Sequence, residues 1–242
     1  AGAYIAAIFA VEIGMLVSKK TRVDILVTPT VTIIAGYALA KIVCPAVAYV
    51  MYYLGDFINT ATEMQPFLMG IIISVVVGII LTLPISSAAI CAMIGISGIA
   101  GGAAVAGCCA QMIGFAVISY RDNGLGGLIS QGVGTSMLQI GNIAKKPIIW
   151  LAPTLTSAIL GPVSTMVLHM TNNAVGAGMG TAGLVGPLAA FATMREAGAA
   201  AGPLVIKIVC LYFVAPAVIA LLIHWGMKKI GWVRDGDMKL QP

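Results

Sequence analysis

Apolar runs long enough to cross a bilayer follow one another along nearly the whole chain, and polar residues interrupt them in only a few places. A hydrocarbon core about 30 Å thick is crossed by roughly 20 apolar residues in helical form. Ala1 to Val17, Ile25 to Leu54 (with Lys41 and Pro45 inside), Phe67 to Leu83 (stopped by Pro84), Ile85 to Tyr120, Ile148 to Met170 and Pro203 to Gly226 all meet or approach that length. Ile85 to Tyr120 is long enough for one tilted span, or for two segments broken near Gly101 and Gly102. Only 9% of the 242 residues are charged and 60% are hydrophobic, against about 25% charged in a soluble domain. A chain of this length folded in water needs a charged shell, and this one has none. The expectation is an all-α, polytopic transmembrane helical bundle forming a single membrane domain over 1–242. Ala1 opens inside an apolar run, so a cut within a longer membrane protein, with N-terminal spans missing, is expected.

The formal charge of +5 is gathered in short clusters: Lys19, Lys20 and Arg22; Lys145 and Lys146; Lys228, Lys229, Arg234 and Lys239. No basic stripe with interleaved aromatics runs along one face, which argues against nucleic acid as a partner. Such clusters anchor cytoplasmic loops, which places a basic cytoplasmic tail at 227–242 and leaves the side of Arg121 open. Cys44, Cys91, Cys108, Cys109 and Cys210 lie in apolar surroundings without metal-ligand spacing and read as small buried hydrophobes. No triad, carboxylate pair or metal cluster is visible. Neither a catalytic residue, nor a metal, nor a cofactor is therefore assigned to the chain.

Two stretches, 124–142 and 171–191, are too polar or too glycine-rich to face lipid. Irregular backbone survives at bilayer depth only when protein encloses it or it lines a wet cavity, so both are expected to be re-entrant or broken-helix segments. In the first, Gln131, Thr135, Gln139 and Asn142 recur at helical spacing with Ser136 beside them. Such a stripe of amides and hydroxyls suits a hydroxylated solute, but equally an interfacial helix or polar glue between helices. In the second, Asn172 and Asn173 precede a run containing Gly178, Gly180 and Thr181, where bare backbone can approach a ligand or merely turn tightly. Gly178, Gly180 and Gly183 match a dinucleotide fingerprint, yet no βαβ context surrounds them.

Further features divide between structure and function. Gly98, Gly102, Ala106, Ala110 and Gly114 form a small-residue stripe that reads as bundle packing or a subunit interface. Glu12 and Lys41, inside apolar runs, are candidates to pair across helices, and Lys207 lies near a span end from which it can snorkel. Glu63 is either a loop carboxylate or a ligand group, and His169 either a packed or a binding histidine.

The run GGLISQGVGTSMLQ (Gly126 to Gln139), followed by Asn142, Pro147, Pro153-Thr154, Gly161-Pro162, Asn172-Asn173 and GAGMGTAGLVG (Gly176 to Gly186), resembles the phosphotransferase-system enzyme IIC-like membrane family that includes the perfringolysin O regulator. LMGIIISVVVGIILTLPISSAAI (Leu68 to Ile90) is similar as well. The resemblance implies a sugar permease component in a bacterial inner or plasma membrane, multi-pass, working as a homodimer with a separate IIB-type protein that carries out phosphoryl transfer. No IIA or IIB sequence is attached to this stretch, and the family's sugar-binding residues do not map onto Glu63 and His169. The expected function is binding and translocation of a small polar solute, a sugar or related hydroxylated or anionic compound. The alternative is a membrane sensor that binds a ligand or partner without transport.

Overall fold

The computed structural model describes residues 2–18 and 24–240; the basic cluster Lys19, Lys20 and Arg22 lies outside them. The chain divides into two compact units, Ala1–Leu54 and Gly55–Pro242. In the first, α1 (Gly2–Val17) meets the early part of α2 (Asp24–Met64). Small residues set the approach: a Cβ on Gly36 would lie 3.0 Å from that of Ala10, and one on Gly14 would lie 2.3 Å from the Thr32 hydroxyl. These pairings make the two helices antiparallel. Lys41 stands 5.5 Å from the Tyr37 ring centroid, and among the described residues it forms no ion pair with Glu12. The cross-helix pairing considered from sequence is not realised, and a cation–π contact takes its place.

The second unit is built around one buried helix. It runs through α3 (Pro66–Thr82), α4 (Ser87–Ile94), α5 (Gly98–Ile118), α6 (Tyr120–Ile129), α7 (Ile140–Lys145), α8 (Leu151–Pro162), α9 (Ala174–Ala177), α10 (Val185–Glu196), α11 (Ala201–Val209) and α12 (Ala215–Lys229). Wide π turns at Ser130–Gly134, Val163–Val167 and Cys210–Val214 interrupt these elements. The last of them joins α11 to α12 in one apolar helix, Ala201–Lys229. With it, Asp24–Met64, Gly98–Ile118 and Pro147–Val167 are long and apolar enough to cross a membrane. α3 is apolar but shorter, with 17 residues.

α3, α5 and α8 cross where side chains are smallest. A Cβ on Gly107 would sit 1.9 Å from the Ser74 carbonyl oxygen, and one on Gly161 would sit 2.2 Å from that of Gly70. The Ser74 hydroxyl donates to the Ser157 carbonyl at 2.8 Å, and the Ser157 hydroxyl donates to the Gly107 carbonyl at 3.2 Å. Close backbone approach and inter-helix hydrogen bonds are what hold helices together in lipid, where apolar burial between helices contributes little. The small-residue stripe is spent inside the chain: Gly102 packs on the Met170 carbonyl, Gly114 on Pro153 and Ala220, and Ala106 and Ala110 are fully buried. From Gly102 to Gly114 it is bundle packing, while Gly98 at its start remains exposed.

Meanwhile Phe67, Leu68, Ile72 and Val76 on α3, and Leu221, Leu222 and Trp225 on α12, point outward and exposed. Water would not tolerate that arrangement, whereas acyl chains match it. The protein is an all-α membrane bundle.

One expectation shifts. The long run from Ile85 breaks at Gly95, where φ is +76°, and not at Gly101 and Gly102, which lie inside α5 against the carbonyls of Asn172 and Met170. Asn59 fastens this break, donating to the Gly95 carbonyl at 3.0 Å and accepting from the Ser97 amide at 3.2 Å. α5 is therefore one unbroken helix, Gly98–Ile118, long enough for a single span.

Candidate functional site

The first polar stretch does not continue as one helix. After Ser119 the chain kinks at Gly124 (φ +60°), widens into the π turn at Ser130–Gly134, becomes extended at Thr135 and tightens into a 3-10 turn over Ser136–Gln139. Gly132 comes back against Ala116 and Ile113 of α5, where an added Cβ would touch both. Thr135 caps the next turn by accepting from the Met137 amide at 3.1 Å. The Ser136 and Thr82 hydroxyls are 2.9 Å apart and tie the returning strand of chain to the end of α3.

Gln131, Gln139 and Asn142 do converge, though through a ladder of amides and not a solvent-facing stripe. Gln131 donates to the Ser119 hydroxyl at 2.8 Å, Gln139 to the Gln131 side-chain oxygen at 3.0 Å, and Asn142 to the Gln139 side-chain oxygen at 2.8 Å. Both glutamines are fully buried. The outer rungs engage the C-terminal tail, since Gln139 also donates to the Met238 carbonyl and Asn142 to the Lys239 carbonyl, each at 3.0 Å. Asp122 accepts from the amides of Gly236 and Met238, and Asn123 clasps Met238 and Leu240.

Lys146 and Asp237 close the seam at 2.5 Å. Partial burial alone would raise the Asp237 carboxyl, but the Lys146 ammonium and the Arg234 amide together outweigh it and hold the group below its ordinary value. Asp235 is likewise held low by its bond to Lys228. The tail is thus a seated cap, and it brings Arg121 to the same end of the bundle as Lys145, Lys146 and Lys228.

The second stretch enters from the opposite end. The Asn172 amide donates to the Gly98 carbonyl at 3.1 Å, and its buried side chain donates to the Gly186 carbonyl at 3.1 Å, closing the base of a hairpin. Asn173, exposed, caps α9 by accepting from the Gly176 amide at 2.8 Å. The chain then runs inward. Gly178 receives the Ser87 hydroxyl on its carbonyl at 2.6 Å, and Gly180 (φ +55°) lies so close to Cys108 that a Cβ would meet that thiol's Cβ at 2.8 Å. At the tip, the Thr181 hydroxyl donates to the Gly132 carbonyl at 2.6 Å, and Gly183 (φ +52°) and Leu184 (φ +61°) turn the chain back.

The two interruptions therefore meet tip to tip, inside the protein. Outside this junction lie Glu63 and His169, both exposed. They share the end remote from the tail, because Thr165 donates to the Pro66 carbonyl at 2.8 Å; His169 itself is in the left-handed region (φ 47°). Sequence reading passed over Ser119, Thr82, Ser87 and Gln111. The last was visible as an amide inside an apolar run, and it is fully buried between Trp150, which donates to it at 3.1 Å, and the Thr154 hydroxyl at 3.2 Å. Among the described residues no group of histidine, cysteine and carboxylate side chains is placed to hold a metal.

A helical membrane bundle with two polar hairpins entering from opposite ends and enclosed by protein fits a membrane protein that handles polar solutes. Its family follows from the sequence as a whole: the model described as "Phosphotransferase system, EIIC" matches residues 1–240, and the chain belongs to that family. It is a membrane component of sugar transport. Neither a curated protein nor a solved structure gives a match.

Proposed function

We propose that this chain binds a small hydroxylated or anionic solute, of sugar type, where the two hairpins meet, and passes it across the membrane by parting them. The observation that carries this reading is the Thr181 to Gly132 hydrogen bond, at 2.6 Å the closest link between the tips. One bond between two irregular segments is weak enough to break and re-form at each cycle, with a net worth of about 0.5–1.5 kcal/mol. Thr135 and Ser136 from one hairpin, and Gly178, Gly180 and Thr181 from the other, supply hydroxyl and bare backbone contacts of the kind a sugar needs, while Asn172 and Asn173 act from the base of the second hairpin by holding its shape. Gln131, Gln139 and Asn142 act through the position of the first hairpin, since their amides are engaged by Ser119 and the tail. Glu63 and His169 stand at the far entrance.

The basic residues gathered around the tail end make that end cytoplasmic in a multi-pass bacterial plasma membrane. There a separate IIB-type protein meets the solute and phosphorylates it. The working unit is a homodimer.

Counterflow of labelled hexoses, pentoses and hexitols into proteoliposomes tests the reading. At least one sugar is carried by the wild type, and Thr181→Val, which keeps the volume and removes the bond, changes its rate at least threefold. Binding without flux assigns a sensor instead. Neither binding nor flux removes the site.

A further inference from the structure

Beside the tail, and distinct from the hairpin junction, lies a cavity of about 560 Å³ between α5, α6, α12 and the segment from Arg234 to Met238. That volume is in the range of sites for small organic ligands, about 300–1,000 Å³. Its walls are of two kinds. Leu125 and Leu128 from α6 and Leu221 and Trp225 from α12 make an apolar side, and Leu125 and Trp225 stay 66% and 59% exposed, so this side opens outward toward lipid. The other side carries Arg121, Lys228 and Arg234 against Asp122 and Asp235.

Both carboxylates are already committed. Asp122 accepts the amides of Gly236 and Met238 at 2.9 and 3.2 Å, and Asp235 pairs with Lys228. The guanidinium groups of Arg121 and Arg234 make no hydrogen bond or close ion pair among the described residues, though their charges also act on Asp235 and Asp237; three cations against two carboxylates leave the lining with a positive surplus. Lys229 lies 3.7 Å from the Trp225 ring centroid, and Trp232 is exposed nearby in sequence; tryptophan with lysine marks headgroup depth. Apart from the Tyr120 hydroxyl, His224 and the Trp225 indole N–H, the side chains lining the space are apolar or charged, which suits an amphiphile better than a sugar.

We propose that this cavity binds an anionic phospholipid, with its phosphodiester between Arg121 and Arg234 and an acyl chain along Leu125, Leu221 and Trp225. Paired guanidiniums bind phosphate oxygens through strong charge-assisted bonds, and basic pockets beside membrane helices select acidic headgroups. Because Arg234 belongs to the tail and Arg121 to α6, a bound headgroup bridges the two and fastens the cap from outside. This holds whether or not the hairpin junction carries a sugar.

The test uses the purified full chain, stripped of lipid in neutral detergent, with binding read by native mass spectrometry. Phosphatidylglycerol is the probe, phosphatidylcholine the uncharged comparison, and glycerol 3-phosphate the headgroup without chains. Wild type retains phosphatidylglycerol over phosphatidylcholine. The Arg121→Gln/Arg234→Gln double variant loses about 25-fold in that affinity, roughly fivefold per charge, with phosphatidylcholine binding unchanged and the lipid-free melting temperature of wild type. Trp225→Ala weakens both lipids together. Equal retention of the two lipids by wild type overturns the proposal without reference to any variant. So does undiminished phosphatidylglycerol binding by the double variant. Glycerol 3-phosphate bound as tightly as the lipid would overturn it too, in favour of a soluble phosphate ester.

Discussion

Replacing Gln139 by alanine removes the central rung of the amide ladder. Three hydrogen bonds go with it: to Gln131 at 3.0 Å, to the Met238 carbonyl at 3.0 Å and from Asn142 at 2.8 Å. Their consequences differ. The Met238 carbonyl keeps Asn123 at 2.8 Å and Asn142 keeps the Lys239 carbonyl, but the Gln131 side-chain oxygen is left buried with no other hydrogen bond. An orphaned buried acceptor costs about 1–3 kcal/mol, and the lost exchange with the tail adds about 0.5–1.5 kcal/mol, so the seam weakens by roughly 1.5–4.5 kcal/mol. If the tail opens as a local unit, amide exchange across 236–240 accelerates by roughly 10- to 2,000-fold. Hydrogen–deuterium exchange with peptide-level resolution reads this directly, and trypsin cleavage after Arg234 rises in parallel. Gln139→Leu keeps the volume and isolates the polar contribution from the cavity. Tail exchange within twofold of wild type in both variants would refute the claim that the ladder seats the tail.

Gly107→Ala drives a Cβ to 1.9 Å from the Ser74 carbonyl oxygen, its near neighbours all being Ser74 backbone atoms; about 1–3 kcal/mol or more of stability is lost as α3 and α5 separate, measurable as a fall in detergent melting temperature. By contrast Gly141→Ala, with open space around it, leaves melting unchanged. Asn173→Ala removes the α9 cap at a cost of about 1 kcal/mol, and Asn173→Ser retains most of it; exchange across 174–184 separates the two. The Asp237 carboxyl is held below its ordinary value in the folded chain, so its contribution is present above the unfolded aspartate range and is lost as pH falls through the folded value. Proteolysis of the tail should therefore rise in acid below about pH 4, and Asp237→Asn should reduce that dependence, leaving the part due to the Asp235–Lys228 pair.

The helices were legible because apolar length is written directly in the residues. α3, α5 and the helix ending at Lys229 fall where the runs lie, and the small-residue stripe indicated the close packing that Gly102 and Gly114 make. Where the long run breaks was not legible. Glycine serves both as a hinge, as at Gly95, and as a site of close approach, as at Gly102, and only the neighbouring chain decides which. Reading Gln131, Thr135, Gln139 and Asn142 on one helical face failed for a related reason, since π, extended and 3-10 turns in succession destroy the period that the reading assumed. The partners of those amides, the carbonyls of Met238 and Lys239, are backbone groups almost a hundred residues away in sequence, and they leave no mark in side-chain pattern. The enclosure of the two interruptions followed from a general constraint, that irregular backbone at bilayer depth must be sheltered by protein. Their point of contact, Thr181 on Gly132, did not.

Hydrogen–deuterium exchange of the reconstituted protein, with and without a sugar that shows counterflow, tests that junction most directly. The account predicts that saturating sugar changes protection at 130–136 and at 178–184 together, with the bundle crossing at Ser74, Gly107 and Ser157 unaffected. Protection altered in one segment alone, or in neither while flux proceeds, would contradict it.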